Sequence, residues 1–136
     1  METFVWPIRV YYEDTDSGGV VYYANYLKFM ERARTEWLRA RGFEQDALLR
    51  DRRLLFAVRS LDVDYRRPAR LDDQLEVISQ MARAGAASLT FAQLIQRADS
   101  AEALCEARVK VACIDADSFQ ARRMPQDLLR EITGDT

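Results

Sequence analysis

The chain has 136 residues, the length of one domain with enough sequence for a hydrophobic core. Its composition is 49% hydrophobic and 31% charged, and its net charge of -2 gives no general attraction to nucleic acid. Histidine is absent, which excludes Ser-His-Asp and Cys-His nucleophiles and the usual zinc ligand sets. Catalysis would therefore use carboxylates, hydroxyl groups, backbone amides, lysine or cysteine, and we expect no metal site.

The amino terminus, METFVWPIRV, lacks the features of a signal peptide. No apolar run reaches the ~20 residues that span a bilayer. Two cysteines, Cys105 and Cys113, lie in one strand-like run, too far apart along it to form a disulfide bond. We therefore expect a cytoplasmic protein with two core thiols, no transmembrane segment and a single domain over residues 1–136.

The first predicted strand is FVWPIRVYYE, residues 4–13, in which apolar and aromatic residues alternate. Pro7 favours a position at the edge of the sheet or a bulge, because proline cannot donate to the strand ladder. The polar stretch DTDSGG, residues 14–19, is predicted to be a loop.

A long helix is predicted next, from about Tyr23 to Arg41, because apolar residues recur with helical spacing. Gly42 provides a stop just after it, and a shorter, more polar helix is predicted at residues 45–52. The apolar face of the long helix consists of Tyr26, Met30, Ala33, Trp37 and Ala40, and is widened by Leu27 and Leu38.

The rest of the chain reads as strands joined by turns, with a short terminal helix after Met124 and Pro125. The predicted strands are residues 54–66, 74–84, 88–98 and 103–115, and the longest turn is RPARLDD, residues 67–73. One strand, one long helix and four further strands predict an α+β domain with an antiparallel sheet. A helix this apolar would suit the inside of a curved sheet.

The stretch YYEDTDSGGVVYYANY, residues 11–26, places acids and a double glycine directly before the long helix. The first turn of a helix has free N–H groups and a partial positive charge, which can stabilise a developing oxyanion. Glycines let a substrate approach the backbone, and a carboxylate on the loop can attack or activate water. A simpler alternative is that Asp14 and Asp16 form an Asx turn or cap the helix.

The stretch YYEDTDSGGVVYYANYLKFMERARTEWL, with RRPARLDDQLEV further on, resembles the signature of hotdog-fold thioesterases of the 4-hydroxybenzoyl-CoA type. Within that group it is most similar to the acyl-CoA thioesterases associated with the Tol–Pal system. The resemblance covers nearly the whole chain. It implies a hotdog fold, a curved antiparallel sheet wrapped around one long central helix. It also implies hydrolysis of acyl-CoA to a free acid and coenzyme A, with coenzyme A as part of the substrate and not a cofactor.

The resemblance also assigns roles to residues of this chain. It implies Asp16 as the catalytic carboxylate. Tyr12 and Tyr23 are further candidate catalytic residues expected to line the site: Tyr12 matches a tyrosine of the family, and Tyr23 stands where many Tol–Pal-type members have histidine. Asp14 would be mainly structural. The candidate substrate-binding residues are Gly19, Val20, Val21, Tyr22, Arg66, Arg83 and Ser88, with amides near Val21 to Tyr23 polarising the carbonyl. Independently of the resemblance, Arg66, Arg67, Arg70 and Arg83 could hold the coenzyme A phosphates; the simpler interpretation of any single one is a solvated surface charge.

Other interpretations stay open at this point. Glu31 and Glu36 are alternative acids, because other hotdog branches carry their carboxylate on the helix; the simpler view is that they pair with Arg32 or Arg34. A hotdog dehydratase is disfavoured, because its His-plus-acid arrangement has no counterpart here. A non-catalytic protein that binds acyl-CoA or acyl carrier protein, or a scaffold at the cell envelope, is a further alternative.

The resemblance further implies homodimers with sites at the subunit interface, usually paired into homotetramers. Acyl carrier protein or Tol–Pal-linked envelope proteins are possible partners beside the acyl-CoA substrate.

Overall fold

The computed structural model describes residues 3–134, in which five antiparallel strands form one curved sheet around a long helix. The strand order is β1-β3-β4-β5-β2. The α+β hotdog architecture expected above is confirmed. The elements are β1 (Thr3–Arg9), α1 (Asn25–Ala40), α2 (Gln45–Arg52), β2 (Leu54–Tyr65), β3 (Gln74–Ala84), β4 (Ser88–Arg97), β5 (Ala103–Asp115) and α3 (Gln126–Thr133).

The long helix α1 buries one face against the inner side of the sheet. Trp37 is 1% exposed and meets the ring of Phe91 on β4 edge-on, at 5.0 Å between centroids. The predicted apolar face is present except for Ala40, which is exposed because it is the last residue of the helix. The buried residues of α1 are Tyr26, Phe29, Met30, Ala33, Trp37 and Leu38.

Strand β1 ends at Arg9, short of the predicted end at Glu13. The Tyr11 N–H donates to the carboxylate of Asp14 at 2.9 Å, and the backbone turns in a short 3-10 segment, Tyr12–Asp14. A local acceptor thus replaces the sheet partner that the alternating pattern had suggested.

The two edges of the sheet are β1 and β2. Pro7 lies on β1, which pairs with β3 alone, so its predicted edge position is confirmed. Among the strands of residues 3–134, β2 pairs with β5 alone, and it has a register irregularity between Val58 and Ser60. Val58 and Leu61 on β2 are 47% and 45% exposed, so this edge carries apolar side chains that the protomer leaves uncovered.

Cys105 and Cys113 on β5 are free and buried, as expected for core thiols. Burial raises the pKa of Cys105 to about 12 and that of Cys113 to about 11. Both thiols are therefore neutral near pH ~7 and do not supply a thiolate nucleophile. Within residues 3–134, no helix combines the length and the apolar character needed to cross a bilayer.

Candidate active site

The loop before α1 folds as a short antiparallel hairpin. The Asp16 N–H donates to the Val20 carbonyl at 2.9 Å, and the Tyr22 N–H donates to the Asp14 carbonyl at 3.0 Å. Asp16 therefore lies at one end of the hairpin ladder, and Tyr23, which follows Tyr22, lies at the other.

The tip of the hairpin depends on its two glycines. The Gly18 N–H donates to Asp16 Oδ1 at 2.8 Å, and a Cβ at Gly18 would lie 3.2 Å from the same oxygen. Gly19 has a φ of +79°, which disfavours other residues. Asp16 thus forms the Asx turn of the simpler alternative. It is exposed, and its other carboxylate oxygen has no hydrogen-bond partner among residues 3–134.

Asp14, two residues earlier, has a different environment. It is 4% exposed, its carboxylate accepts the Tyr11 N–H, and its carbonyl accepts Asn25 Nδ2 at 2.9 Å. These contacts join the hairpin to the start of α1. They fit the structural role that was expected for Asp14.

Of the amides expected to polarise a carbonyl, two are already engaged. The Val21 N–H donates to the Ala69 carbonyl at 2.8 Å, and the Tyr22 N–H is bonded to Asp14. Within the described part of the chain, the Tyr23 N–H makes no hydrogen bond. Helix α1 begins beside it with no side-chain cap and no acidic residue in its first turn. The Tyr23 amide is therefore available to an anionic or polarised oxygen.

Tyrosine rings cluster around the Tyr23 side chain. The ring centroids of Tyr22 and Tyr23 are 4.8 Å apart, and a hydrogen bond with the Tyr23 phenol raises the pKa of Tyr22. Tyr65 meets Tyr23 at 6.0 Å and Tyr26 at 5.8 Å. Tyr12 is 82% exposed and makes no ring contact with residues 3–134. Tyr23 thus combines a free backbone amide with a side chain in the tyrosine cluster, whereas the Tyr12 side chain projects into solvent.

The family model described as the thioesterase-like superfamily matches residues 10–132. The chain belongs to this superfamily. It is 48% identical to the acyl-CoA thioester hydrolase YbgC of Escherichia coli over 94% of both chains. It is 45% identical to the acyl-CoA thioesterase YbgC of Haemophilus influenzae, over 92% of this chain and 90% of the relative.

A crystal structure of a 1,4-dihydroxy-2-naphthoyl-CoA thioesterase from Synechocystis has the same fold, with a TM-score of 0.90. It is 26% identical, over 97% of this chain and 96% of that chain. The resemblance to hotdog acyl-CoA thioesterases given by the sequence is therefore confirmed.

The arginines of this thioesterase-like chain differ in how they are paired. The guanidinium of Arg66 contacts Asp64 at 3.2 Å and Glu106 at 2.6 Å. Arg70, which pairs with Val20 in an isolated bridge, has no carboxylate within 4.0 Å among residues 3–134. Any phosphate that Arg66 binds must compete with two carboxylates, whereas Arg70 stands next to the hairpin with an unpaired guanidinium.

Arg83 and Ser88 lie far from the hairpin within one protomer. Strand β3 starts at Gln74, beside the hairpin's neighbouring loop, and Arg83 is near its other end. At ~3.3 Å per residue this separation is roughly 30 Å. Ser88 accepts the Gly85 N–H at the same distant turn, so the structure does not bring these two residues to Asp16 within a single protomer.

The alternative acids on α1 do not form the predicted pairs. Glu36 contacts Arg39, one turn further along the helix, and Glu31 accepts the Thr35 hydroxyl at 3.4 Å. Arg34 donates instead to Gln93 at 2.9 Å, and burial lowers its pKa. Arg34 is thus directed to the polar group of a buried strand residue and not to a carboxylate on its own helix.

A groove of about 100 Å³ lies between α1 and β2. Its walls are mostly apolar, and Asp16 is not among them. The lining includes Trp37, Leu38, Phe56, Val58, Phe91 and Val111, together with the charged residues Glu31 and Arg34. A shallower depression of about 500 Å³ lies on the outer face of the sheet, away from the hairpin.

Proposed function

We propose that this protein hydrolyses acyl-CoA thioesters to a carboxylic acid and free coenzyme A, with Asp16 as nucleophile or general base. That the chain is a thioester hydrolase follows from its family and from 48% identity to an acyl-CoA thioester hydrolase over 94% of its length. One observation carries the assignment of residues: an exposed carboxylate and a free amide stand at the two ends of one hairpin, beside the uncapped end of α1.

The chemistry follows from these groups. The Tyr23 N–H would bind the thioester carbonyl oxygen and stabilise the negative charge that develops on it during attack. In one route Asp16 attacks the carbonyl carbon, the thiolate of coenzyme A leaves, and water then hydrolyses the acyl-Asp16 anhydride. In the other, Asp16 takes a proton from a water that attacks the carbonyl itself, and the resulting intermediate expels the thiolate of coenzyme A. Both routes use the same amide.

The acyl group has an apolar path beside this amide. Tyr65 contacts Tyr23, and Leu61 and Val63 point to the same side of β2 as Tyr65 because side chains alternate along a strand. The groove between α1 and β2 continues in that direction. We infer that the acyl chain lies along this side of β2.

Several features support a site completed by a second copy. The Asp16 hairpin lines neither the groove nor the outer depression, and Arg83 and Ser88 are remote from it within the protomer. Strand β2 presents exposed Val58 and Leu61 on an unpaired edge. We propose a homodimer formed along β2, with Arg83 and Ser88 of one subunit near the Asp16 hairpin of the other, and pairing of dimers into a homotetramer.

Coenzyme A would enter and leave as part of the substrate. We place the reaction in the cytoplasm, where the two free thiols would stay reduced. Acyl carrier protein is an alternative acyl donor, and Tol–Pal-linked envelope proteins are candidate partners.

The test is release of thiol from acetyl-, butyryl-, palmitoyl- and benzoyl-CoA, followed with a thiol-reactive dye. In parallel, calorimetry measures binding of a non-hydrolysable thioether analogue of each. We expect turnover of at least one thioester, and the preferred member gives the acyl class. Binding of the analogues without thiol release from any thioester would show instead a protein that binds acyl-CoA without hydrolysing it.

A further inference from the structure

The turn RPARLDD packs directly against the hairpin that carries Asp16. Val20 pairs with Arg70, and the Val21 N–H donates to the Ala69 carbonyl at 2.8 Å. The turn therefore forms a third backbone segment beside the hairpin. The position of this turn consequently affects the position of both Asp16 and the Tyr23 amide.

Tyr26 on α1 fixes the turn from inside the protein. Its phenol oxygen accepts the Ala69 N–H at 2.9 Å. Tyr26, Ala69 and Val21 are all buried, so water does not replace this bond if it is lost. Both backbone groups of Ala69 are thus used, one by the helix and one by the hairpin. Burial raises the pKa of Tyr26, which keeps the phenol neutral near pH ~7.

Arg97 at the end of β4 fixes the turn from the opposite side. Its Nη2 donates to the Pro68 carbonyl at 2.8 Å, and its Nη1 contacts the carboxylate of Asp73. The same carboxylate accepts the Arg70 N–H at 2.8 Å. Side chains thus hold Pro68, Ala69 and Arg70, three consecutive residues of the turn, by their backbone groups.

We propose that Tyr26 and Arg97 are positioning residues for the hydrolytic reaction, which hold the Tyr23 amide and Asp16 in register through the turn. The inference rests on the proposed function. The Asp16 end of the hairpin is exposed, so core packing does not fix it there. A shift of ~1 Å at a reacting centre can cost about 100-fold in rate. Loss of the side-chain bonds that hold this turn, which we call the clamp, should therefore affect turnover more than substrate binding.

The first variant is Tyr26→Phe, which removes one oxygen and leaves the ring. We expect kcat to fall about tenfold or more with KM within about twofold, since the amide acts on the transition state. Tyr11→Phe is the matched control, because it removes a phenol oxygen from an exposed tyrosine outside the turn. Leu128→Ala in α3 controls for stability: it removes buried apolar contacts of a helix outside the turn and the hairpin, and should lower Tm while leaving kcat unchanged.

Hydrogen exchange gives a readout that does not depend on turnover. In Tyr26→Phe the Val21 amide should exchange faster than in the wild type, relative to core amides of β4, whereas Leu128→Ala should not change this ratio. If Val21 exchange and kcat are both unaltered in Tyr26→Phe, the proposed clamp is wrong. If the wild type releases no thiol, the proposed function is wrong. The ratio of Val21 exchange to exchange of the β4 core amides still shows whether Tyr26 holds the turn in place.

Arg97→Lys provides an independent test. Lysine keeps the positive charge, but it lacks the planar guanidinium that contacts both the Pro68 carbonyl and the Asp73 carboxylate. The double variant with Tyr26→Phe should lose less kcat than the product of the two single losses, since both act through the same turn. Strictly multiplicative losses would mean that the two residues act separately, which contradicts the inference.

Discussion

Substitution of two neighbouring aspartates by asparagine should separate catalysis from stability. In Asp16→Asn the amide oxygen can still accept the Gly18 N–H, and the side chain is exposed. The free energy of unfolding should therefore change by no more than about 0.5 kcal/mol. Loss of the carboxylate should lower kcat by about 10²- to 10⁴-fold, the range for removing a general base. That range corresponds to about 2.7–5.5 kcal/mol in activation free energy.

Asp14→Asn is the matched comparison, because the same change is made at a buried carboxylate that accepts the Tyr11 N–H. Weakening this charge-assisted bond should cost about 1.5–3 kcal/mol of unfolding free energy. Its effect on kcat should be much smaller than that of Asp16→Asn. Urea unfolding and thiol release on both proteins give the comparison. If Asp16→Asn keeps more than about a third of kcat, Asp16 is not the catalytic acid.

Three further outcomes are expected. Arg70→Gln should raise KM about five- to tenfold for acyl-CoA but leave KM unchanged for an N-acetylcysteamine thioester, which has no phosphate. Arg66→Gln should raise KM for acyl-CoA less, because the Arg66 guanidinium is already paired with carboxylates. A larger effect from Arg66→Gln than from Arg70→Gln would refute this argument. Leu61→Arg on β2 should yield a 15.7 kDa protomer in sedimentation, against a larger wild-type species. Cys105 and Cys113 ionise more easily in the unfolded chain than in the folded protein, where their pKa values are about 12 and about 11. The free energy of unfolding should therefore fall as pH rises from about 8.5, and it should fall less steeply in the double alanine variant.

Periodicity was sufficient to predict the long helix and the strands that follow it, because each has one face that must be buried. The helix runs from Asn25 to Ala40 and not from Tyr23, since the first residues after the hairpin form a turn. The end of β1 was predicted too far along the chain, because Tyr11 and Tyr12 continue the apolar alternation. The competing acceptor, the Asp14 carboxylate, is a single local hydrogen bond that periodicity does not reveal.

The candidate site, too, could be predicted from the sequence only in part. The acid and the glycines at Asp16, Gly18 and Gly19 could be predicted, because their chemistry is local to one loop. The contacts that fix this loop could not, because they join residues distant in sequence. Ala69 was placed in a turn and Tyr26 in the core, and the bond between them depends on tertiary structure. In the sequence, the proline and the two acids of RPARLDD indicated a turn, but not which residues that turn contacts.

The unequal edges of the sheet have a consequence for how far an assembly can grow. Strand β1 carries Pro7, and a proline on an edge strand discourages the addition of another strand. Strand β2 contains no proline along Leu54–Tyr65. Pairing of two copies through β2 would use the permissive edge of each and leave a proline-bearing edge at either end. Such a sheet is self-limiting: it closes as a finite particle, and strand-by-strand polymerisation into a fibre is opposed at both ends.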